Sequence, residues 1–227
     1  MIVCIIPARG GSKRIPRKNI KNFSGQPMIS WSIQAAIDSG LFDRIIVSTD
    51  DDEIASIALS AGAEAPFMRP QELADDHAGT LPVISHAISE LGLADDDFVC
   101  CLYATAPFVT ISELADGLKQ LKDGAKFAIS VTRYNYPIQR ALSRASDGSV
   151  SMMNAKQMHS RSQDLTDAWH DAGQFYWGRA GDWNICSGVF GEGTFGVELP
   201  SYRVVDIDTQ DDWDRAEALR EVLRRTL

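Results

Sequence analysis

IVCIIPARGGSKRIPRKN, residues 2–19, decides the reading of this chain. Its first five residues are apolar and mostly β-branched, the pattern of a strand buried on both faces. Five basic residues follow between Arg9 and Lys18, with two adjacent glycines and no acid. A strand running straight into such a loop sets positive charge and backbone N–H groups at the carboxyl edge of a sheet, where open parallel sheets take ligands. The rest of the chain has the opposite sign. The net charge is −9; of 22 basic residues, six fall between Arg9 and Lys21, and the remaining 16 face 31 acids. A field of that sign argues against tracking a nucleic-acid backbone or binding an anionic membrane. It leaves room for a small polyanion held in one pocket.

Outward from this stretch, apolar runs of strand length alternate with helical periods. Residues 27–40 read as a helix, 44–49 as a strand, 51–62 and 81–92 as helices, 98–103 as a strand, 111–124 as a helix and 127–132 as a strand. Such alternation predicts an α/β fold, a mostly parallel sheet with helices on both faces. The length of 227 residues with 44% hydrophobic content suits a single domain, 1–227. The period weakens over 133–180, which reads as an inserted lobe with a turn at Asp147-Gly148. A late strand is expected at 204–208. A closing helix follows, with Thr209 as its N-cap and acids in its first turns.

Several alternatives fall away on spacing. GxxxxGK[ST] is absent. A GxGxxG does occur, at 191–196, but no helix opens from it, so it reads as a turn. Cys4, Cys100, Cys101 and Cys186 have no CxxC spacing and three lie in strand-like runs, consistent with reduced thiols in the cytoplasm. No signal peptide and no bilayer-length apolar run is visible. In the basic loop, Gly10 and Gly11 let N–H groups approach an anion. Arg9, Lys13 and Lys18 supply charge, and Asn19 can bond hydroxyls or phosphate. These are the parts that grip a triphosphate and stabilise charge in phosphoryl or nucleotidyl transfer.

IPARGGSKRIPRKN resembles the first motif of the CMP-sugar-acid, acylneuraminate-type cytidylyltransferases, and SGQPMISW, IIVSTDDDEIASIA, RPQELADD and DIDTQDDW follow in that family's order. The resemblance implies a three-layer Rossmann-like nucleotidyltransferase fold. It also implies an activity, making a CMP-sugar and pyrophosphate from CTP and a nonulosonic acid. CTP contacts would fall on Ala8, Arg9, Gly10, Gly11, Ser12, Lys13, Lys18, Asn19, Arg69 and Thr80, with Arg9 and Lys18 on the triphosphate and Arg69 near the cytosine. Asp206 and Asp208, two apart on a strand and so on one side, would hold Mg²⁺, with Asp208 assisting deprotonation of the sugar hydroxyl. Relatives pair this lobe across a homodimer, which can complete the neighbour's sugar site.

Two segments depart from the sialic-acid branch. CLYATAPF puts Tyr103 where that branch usually has Gln, and DAGQFYWG (171–178) replaces an Asn-Gly-Ala-hydrophobic-Tyr segment. Both resemble the pseudaminic-acid branch, which makes pseudaminic acid the expected sugar and legionaminic or N-acetylneuraminic acid the alternatives. Sugar contacts are expected from Tyr103, Arg161, Gln163, His170, Gln174 and Tyr176, with Arg161 on the carboxylate. His159 and His170 lack metal-ligand spacing. A sugar-1-phosphate nucleotidyltransferase and a non-catalytic nucleotide-sugar binder are the rival readings.

Overall fold

The computed structural model describes residues 1–75, 78–157 and 160–226. Asp76 of the RPQELADD motif and His159 lie outside the described residues. Six strands form the central sheet: β1 (Ile2–Pro7), β2 (Arg44–Ser48), β3 (Phe98–Leu102), β4 (Phe127–Arg133), β5 (Trp169–Arg179) and β6 (Thr194–Glu198). Their spatial order is β6-β4-β5-β3-β1-β2. β1 pairs in parallel with β2 and β3, and β4 with β6, while β5 runs antiparallel between β3 and β4.

The strands are apolar on both faces because helices cover both. Helices α1 (Met28–Ser39), α2 (Asp52–Ser60) and α4 (Ile111–Lys122) pack on one side, sending Ile29, Ile33, Ala58, Leu114 and Leu118 against Cys4, Ile6, Val47 and Trp177. Helices α3 (Thr80–Leu91) and α5 (Ala180–Ile185) cover the other, where Ile84, Ile88 and Trp183 meet Val3, Ile5, Cys101 and Phe127. Helix α2 starts where the charge pattern requires: the Asp51 carboxylate accepts from Glu53 N and Ile54 N, and Asp52 and Glu53 occupy the first turn. Helix α4 starts at a Thr110/Glu113 capping box. The thiols of Cys4, Cys100 and Cys101 are fully buried, and burial raises those of Cys100 and Cys101.

A third cluster positions the site. Ile15, Phe23 and Met28 from the basic loop and the start of α1 pack with Phe108, Val205, Ile207 and Trp213. Trp213 lies on α6 (Gln210–Thr226), opened by a reciprocal cap in which Thr209 N donates to Asp212 Oδ2 at 2.9 Å and Asp212 N to Thr209 Oγ1 at 3.3 Å. The N-terminal loop and the C-terminal segment are therefore fixed to one another.

Two expectations are corrected, and the reading of the GxGxxG holds. Residues 204–208 form no ladder strand; they are extended chain fixed by the burial of Val205 and Ile207. The region 133–180 is not one insert. Its C-terminal part, Trp169–Arg179, is β5, in the middle of the sheet, and 134–168 lies outside the sheet, with short 3-10 turns and a hairpin of Leu142–Arg144 and Val150–Met152. That hairpin does turn at Asp147-Gly148, where the Asp147 carboxylate accepts from Ser149 N at 2.9 Å. The GxGxxG leads into β6 and opens no helix.

Candidate active site

The cleft opens beyond the carboxyl ends of β1, β2 and β3. One cavity there, of about 240 Å³, is lined by Arg9, Ser12, Lys13, Lys18, Asn19 and Arg69, among others. The loop that brings these residues together is braced at each turn. Asn19 Nδ2 donates to Arg9 O at 3.0 Å and closes the base of the loop. Gly10 N donates to Asp50 Oδ1 at 2.9 Å. Arg17 adopts φ 56°, a conformation side chains rarely take, and is held there by a bidentate pair with Asp51 and a 2.5 Å contact with Glu53. The Arg17 guanidinium first, and the α2 cap N–H groups with it, hold the Asp51 carboxyl down to about 2.

Gly10 is required by space. A Cβ there would stand 2.6 Å from Asp51 Oδ2. Ala8, Gly10 and Gly11 do not line the cavity. Ala8 is buried and its N–H donates to Ser48 O at 2.9 Å, Gly10 sits against α2, and Gly11 is exposed.

Arg69 is 6% exposed, which rules out a surface ion pair. Its Nε donates to Ser48 Oγ at 3.1 Å and its Nη2 to Ser48 O, so the guanidinium plane is fixed by the end of β2. Burial lowers its pKa to about 10, leaving it charged at neutral pH. Thr80, the first residue of α3, shares a 2.7 Å hydrogen bond with the Tyr103 hydroxyl. Burial pushes that hydroxyl up to about 12, so it stays protonated.

A larger cavity, of about 680 Å³, adjoins the first and shares Lys18, Tyr103, Thr105 and Asp208 with it. Asp206, His170 and Tyr176 face this second space. The extended chain carries out what a strand was expected to do: Val205 and Ile207 point inward, and Asp206 and Asp208 both face the cavity. Asp208 is ion-paired to Lys18 at 3.2 Å and to Arg14 at 2.8 Å, and Lys18 Nζ also donates to Ile207 O at 2.6 Å. Asp206 receives no hydrogen bond from the described residues; its pKa is raised, by burial first and then by neighbouring Asp208. An under-compensated carboxylate beside a second one is a donor set that suits a hard divalent cation. Among the described residues no third His, Cys, Asp or Glu joins them, so phosphate oxygens or water would have to fill the shell.

A bulge shapes the far wall. Gly173 sits at φ 59°, the register between β4 and β5 slips there, and Ser130 Oγ accepts from both Gln174 N and Phe175 N at 3.1 Å. Asp171 and His170 are thereby turned toward the cavity, where the Tyr176 hydroxyl donates to Asp171 Oδ2. Tyr103 and Tyr176 meet edge-on, ring centres 5.6 Å apart. Between them and Leu81, Val189 and Phe190 lies an apolar recess of about 300 Å³.

The other expected sugar contacts are not brought here within one chain. Gln174 is 3% exposed in the sheet, its amide donating to Ala172 O. Arg161 is exposed and doubly paired with Asp164 at 2.7 and 3.1 Å. Gln163 lines a separate pocket with Tyr134 and Thr166. The sequence reading did not single out Arg14, Ser48, Asp50, Thr105, Asp171 or Arg215 as site residues. Asp50 and Thr105 stand just past strand ends, where the topology rule points, and Asp171 and Thr105 fall within segments already marked as departures.

A basic loop at the carboxyl edge of a mostly parallel sheet, facing two carboxylates, is an arrangement that suits nucleotidyl transfer, and the comparisons make the chain a nucleotidyltransferase. Residues 3–179 match the protein family described as Cytidylyltransferase, and the chain belongs to that family. It is 45% identical over 223 residues to a pseudaminic acid cytidylyltransferase of Campylobacter jejuni, covering 97% of this chain and 96% of that protein. It is 29% identical to a CMP-N,N'-diacetyllegionaminic acid synthase of Legionella pneumophila over 100% of this chain and 99% of that one. The fold matches a solved CMP:2-keto-3-deoxy-manno-octonic acid synthetase complexed with CTP, with TM-score 0.73, 17% identity and coverage of 98% and 99%.

Proposed function

We propose that this enzyme transfers the cytidylyl group of CTP to pseudaminic acid, giving the CMP-sugar and pyrophosphate. The observation that carries this reading is the junction of the cation-lined cavity with the larger one at Lys18, Tyr103, Thr105 and Asp208. The Campylobacter relative supports the choice of sugar.

In this account the triphosphate lies along Arg9, Lys13 and Lys18. Arg69, its plane fixed by Ser48, has donors left for the cytosine carbonyl. The anomeric hydroxyl enters from the larger cavity and attacks the α-phosphorus. An oxygen–phosphorus bond forms, the bond to the β-phosphate bridging oxygen breaks, and that electron pair leaves on pyrophosphate. Charge grows on the leaving group, beside cations that the braced loop has already gathered at the cavity. Asp208 is the carboxylate positioned to take the hydroxyl proton once its cation partners turn to phosphate. A Mg²⁺ ion held by Asp206 and Asp208 would supply charge neutralisation at phosphate oxygens and acidify a bound hydroxyl. Tyr103, with its hydroxyl tied to Thr80, presents an aromatic wall and a fixed acceptor to the sugar.

The same proposal includes a homodimer. The segment 134–168 exposes several large side chains, Tyr136 at 84%, Met153 at 73%, Val150 and Leu142, which a second copy could cover. A second copy covering it would also bring Arg161 and Gln163 within reach of a neighbouring cleft. Light scattering at micromolar concentration should give twice the 24.9 kDa chain mass.

The test of function is pyrophosphate release with CTP and Mg²⁺ over pseudaminic, legionaminic, N-acetylneuraminic and 3-deoxy-octulosonic acids. Release with pseudaminic acid at the highest kcat/KM supports the proposal. Preference for another acid overturns the sugar assignment, and silence across the panel with CTP bound favours a binding protein.

A further inference from the structure

The acid substrate brings a carboxylate directly next to its reacting carbon, into a cavity already lined by Asp171, Asp206 and Asp208. Four carboxylates in one space repel unless cations answer them. Among the described residues lining that cavity, Lys18 and Arg215 are the permanent cations. Lys18 is engaged by Ile207 O and Asp208. Arginines elsewhere are also committed: Arg161 to Asp164, Arg133 to Asp167, and Arg203 to Glu113 and Phe108 O.

Arg215 differs. It sits in the second turn of α6, one turn beyond the Thr209/Asp212 cap, with a side chain 66% exposed and, among the described residues, one long ion pair, to Asp212 at 3.8 Å. Its helix is anchored on either side by buried Trp213 and Ala216, so its Cα is fixed while its guanidinium is free to turn into the cavity. A guanidinium fork grips a carboxylate through two parallel N–H bonds, which sets its orientation as well as its position.

We infer that Arg215 is the residue that recognises the carboxylate of the sugar acid, in place of Arg161 of the same chain. This rests on the proposed acid substrate. Gripped by Arg215, the carboxylate fixes which face of the anomeric carbon presents its hydroxyl to the α-phosphate.

The test compares the wild-type enzyme with Arg215→Ala and Arg215→Lys, each assayed with the sugar acid and with its C1 carboxamide. The wild type should prefer acid over amide. Arg215→Ala should raise the sugar KM about 10- to 100-fold, leave the CTP KM unchanged, and lose the preference for acid; Arg215→Lys should recover part of it. An unchanged sugar KM, or equal acid preference in Arg215→Ala, overturns the assignment while leaving the cytidylyltransferase reading intact. A wild type that turns over no sugar acid overturns both. A fall in melting temperature with unchanged sugar KM would mean that Arg215 serves only to brace α6.

Discussion

On the side of the cleft proposed for the nucleotide, and in contrast to the side proposed for the sugar, side-chain charges are held in place by other groups of the protein. Arg14 and Lys18 are tied to Asp208, Arg17 to Asp51, and Arg69 to Ser48. On the sugar side, the wall is a bulged strand, two edge-on tyrosines and a loosely held guanidinium. The difference follows the chemistry of the substrates. A triphosphate has fixed charge and fixed length, so preorganised cations serve it best. A sugar acid is distinguished by its hydroxyl, methyl and acylamino groups, which are read by shape and by a few hydroxyls. The first side should therefore respond to substitution in turnover and stability, the second in selectivity.

The largest effect that sharpens this contrast is Lys18→Ala. Pyrophosphate release should fall about 10²- to 10³-fold, with the sugar preference ratio unchanged in the same assay. A changed ratio would mean the two sides are not separable. Next comes Gly10→Ala, whose Cβ meets Asp51 Oδ2 at 2.6 Å. Overpacking of this kind costs about 1–3 kcal/mol. Gly11→Ala, with nothing within 4 Å, should leave the melting temperature near that of the wild type. Equal melting curves for the two variants would show that the loop is not packed as described.

Smaller again is Tyr103→Gln. Losing the Thr80 hydrogen bond and the contact with Tyr176 should shift the kcat/KM ratio of N-acetylneuraminic to pseudaminic acid about tenfold toward the former, with the CTP KM constant. An unmoved ratio would remove Tyr103 from sugar recognition. The smallest effect is in stability against pH. The folded pKa of Asp51 is depressed to about 2 from the usual 3.8. Its contribution is therefore complete above pH 3.8 and is lost as pH falls through 2. After solvent screening that contribution is about 1 kcal/mol. Asp51→Asn should show a shallower loss of melting temperature between pH 4 and 2 than the wild type.

The same contrast governs what the sequence reveals. Strands β1 to β4 and helices α1 to α4 announce themselves through local period and caps, and the basic loop through its lack of acids. Strand β5 hides because WHDAGQFYWGR mixes polar residues with a bulge at Gly173, which breaks the alternation a strand normally shows. Its place in the middle of the sheet is set by pairing with residues some 40 to 80 positions away. Residues 204–208 read as a strand because Val205 and Ile207 alternate with Asp206 and Asp208. That alternation is real, but it is produced by packing on Phe23 and Trp213 without a ladder. Arg161 is the readable choice for the sugar carboxylate, as an arginine near the sugar segment. Arg215, proposed above for that role, has no local signal, since only the tertiary path of α6 brings it to the cavity.

The most direct test of the account is Asp208→Asn, measured for both CTP affinity and turnover. Asp208 restrains Arg14 and Lys18 and is the residue proposed to face the reacting hydroxyl, so the two properties should separate. Pyrophosphate release should fall about 10³-fold or more, while metal-free CTP binding should stay within about threefold of wild type or tighten as Arg14 and Lys18 are released. Normal turnover in Asp208→Asn, or loss of turnover and metal-free CTP binding together, would contradict it.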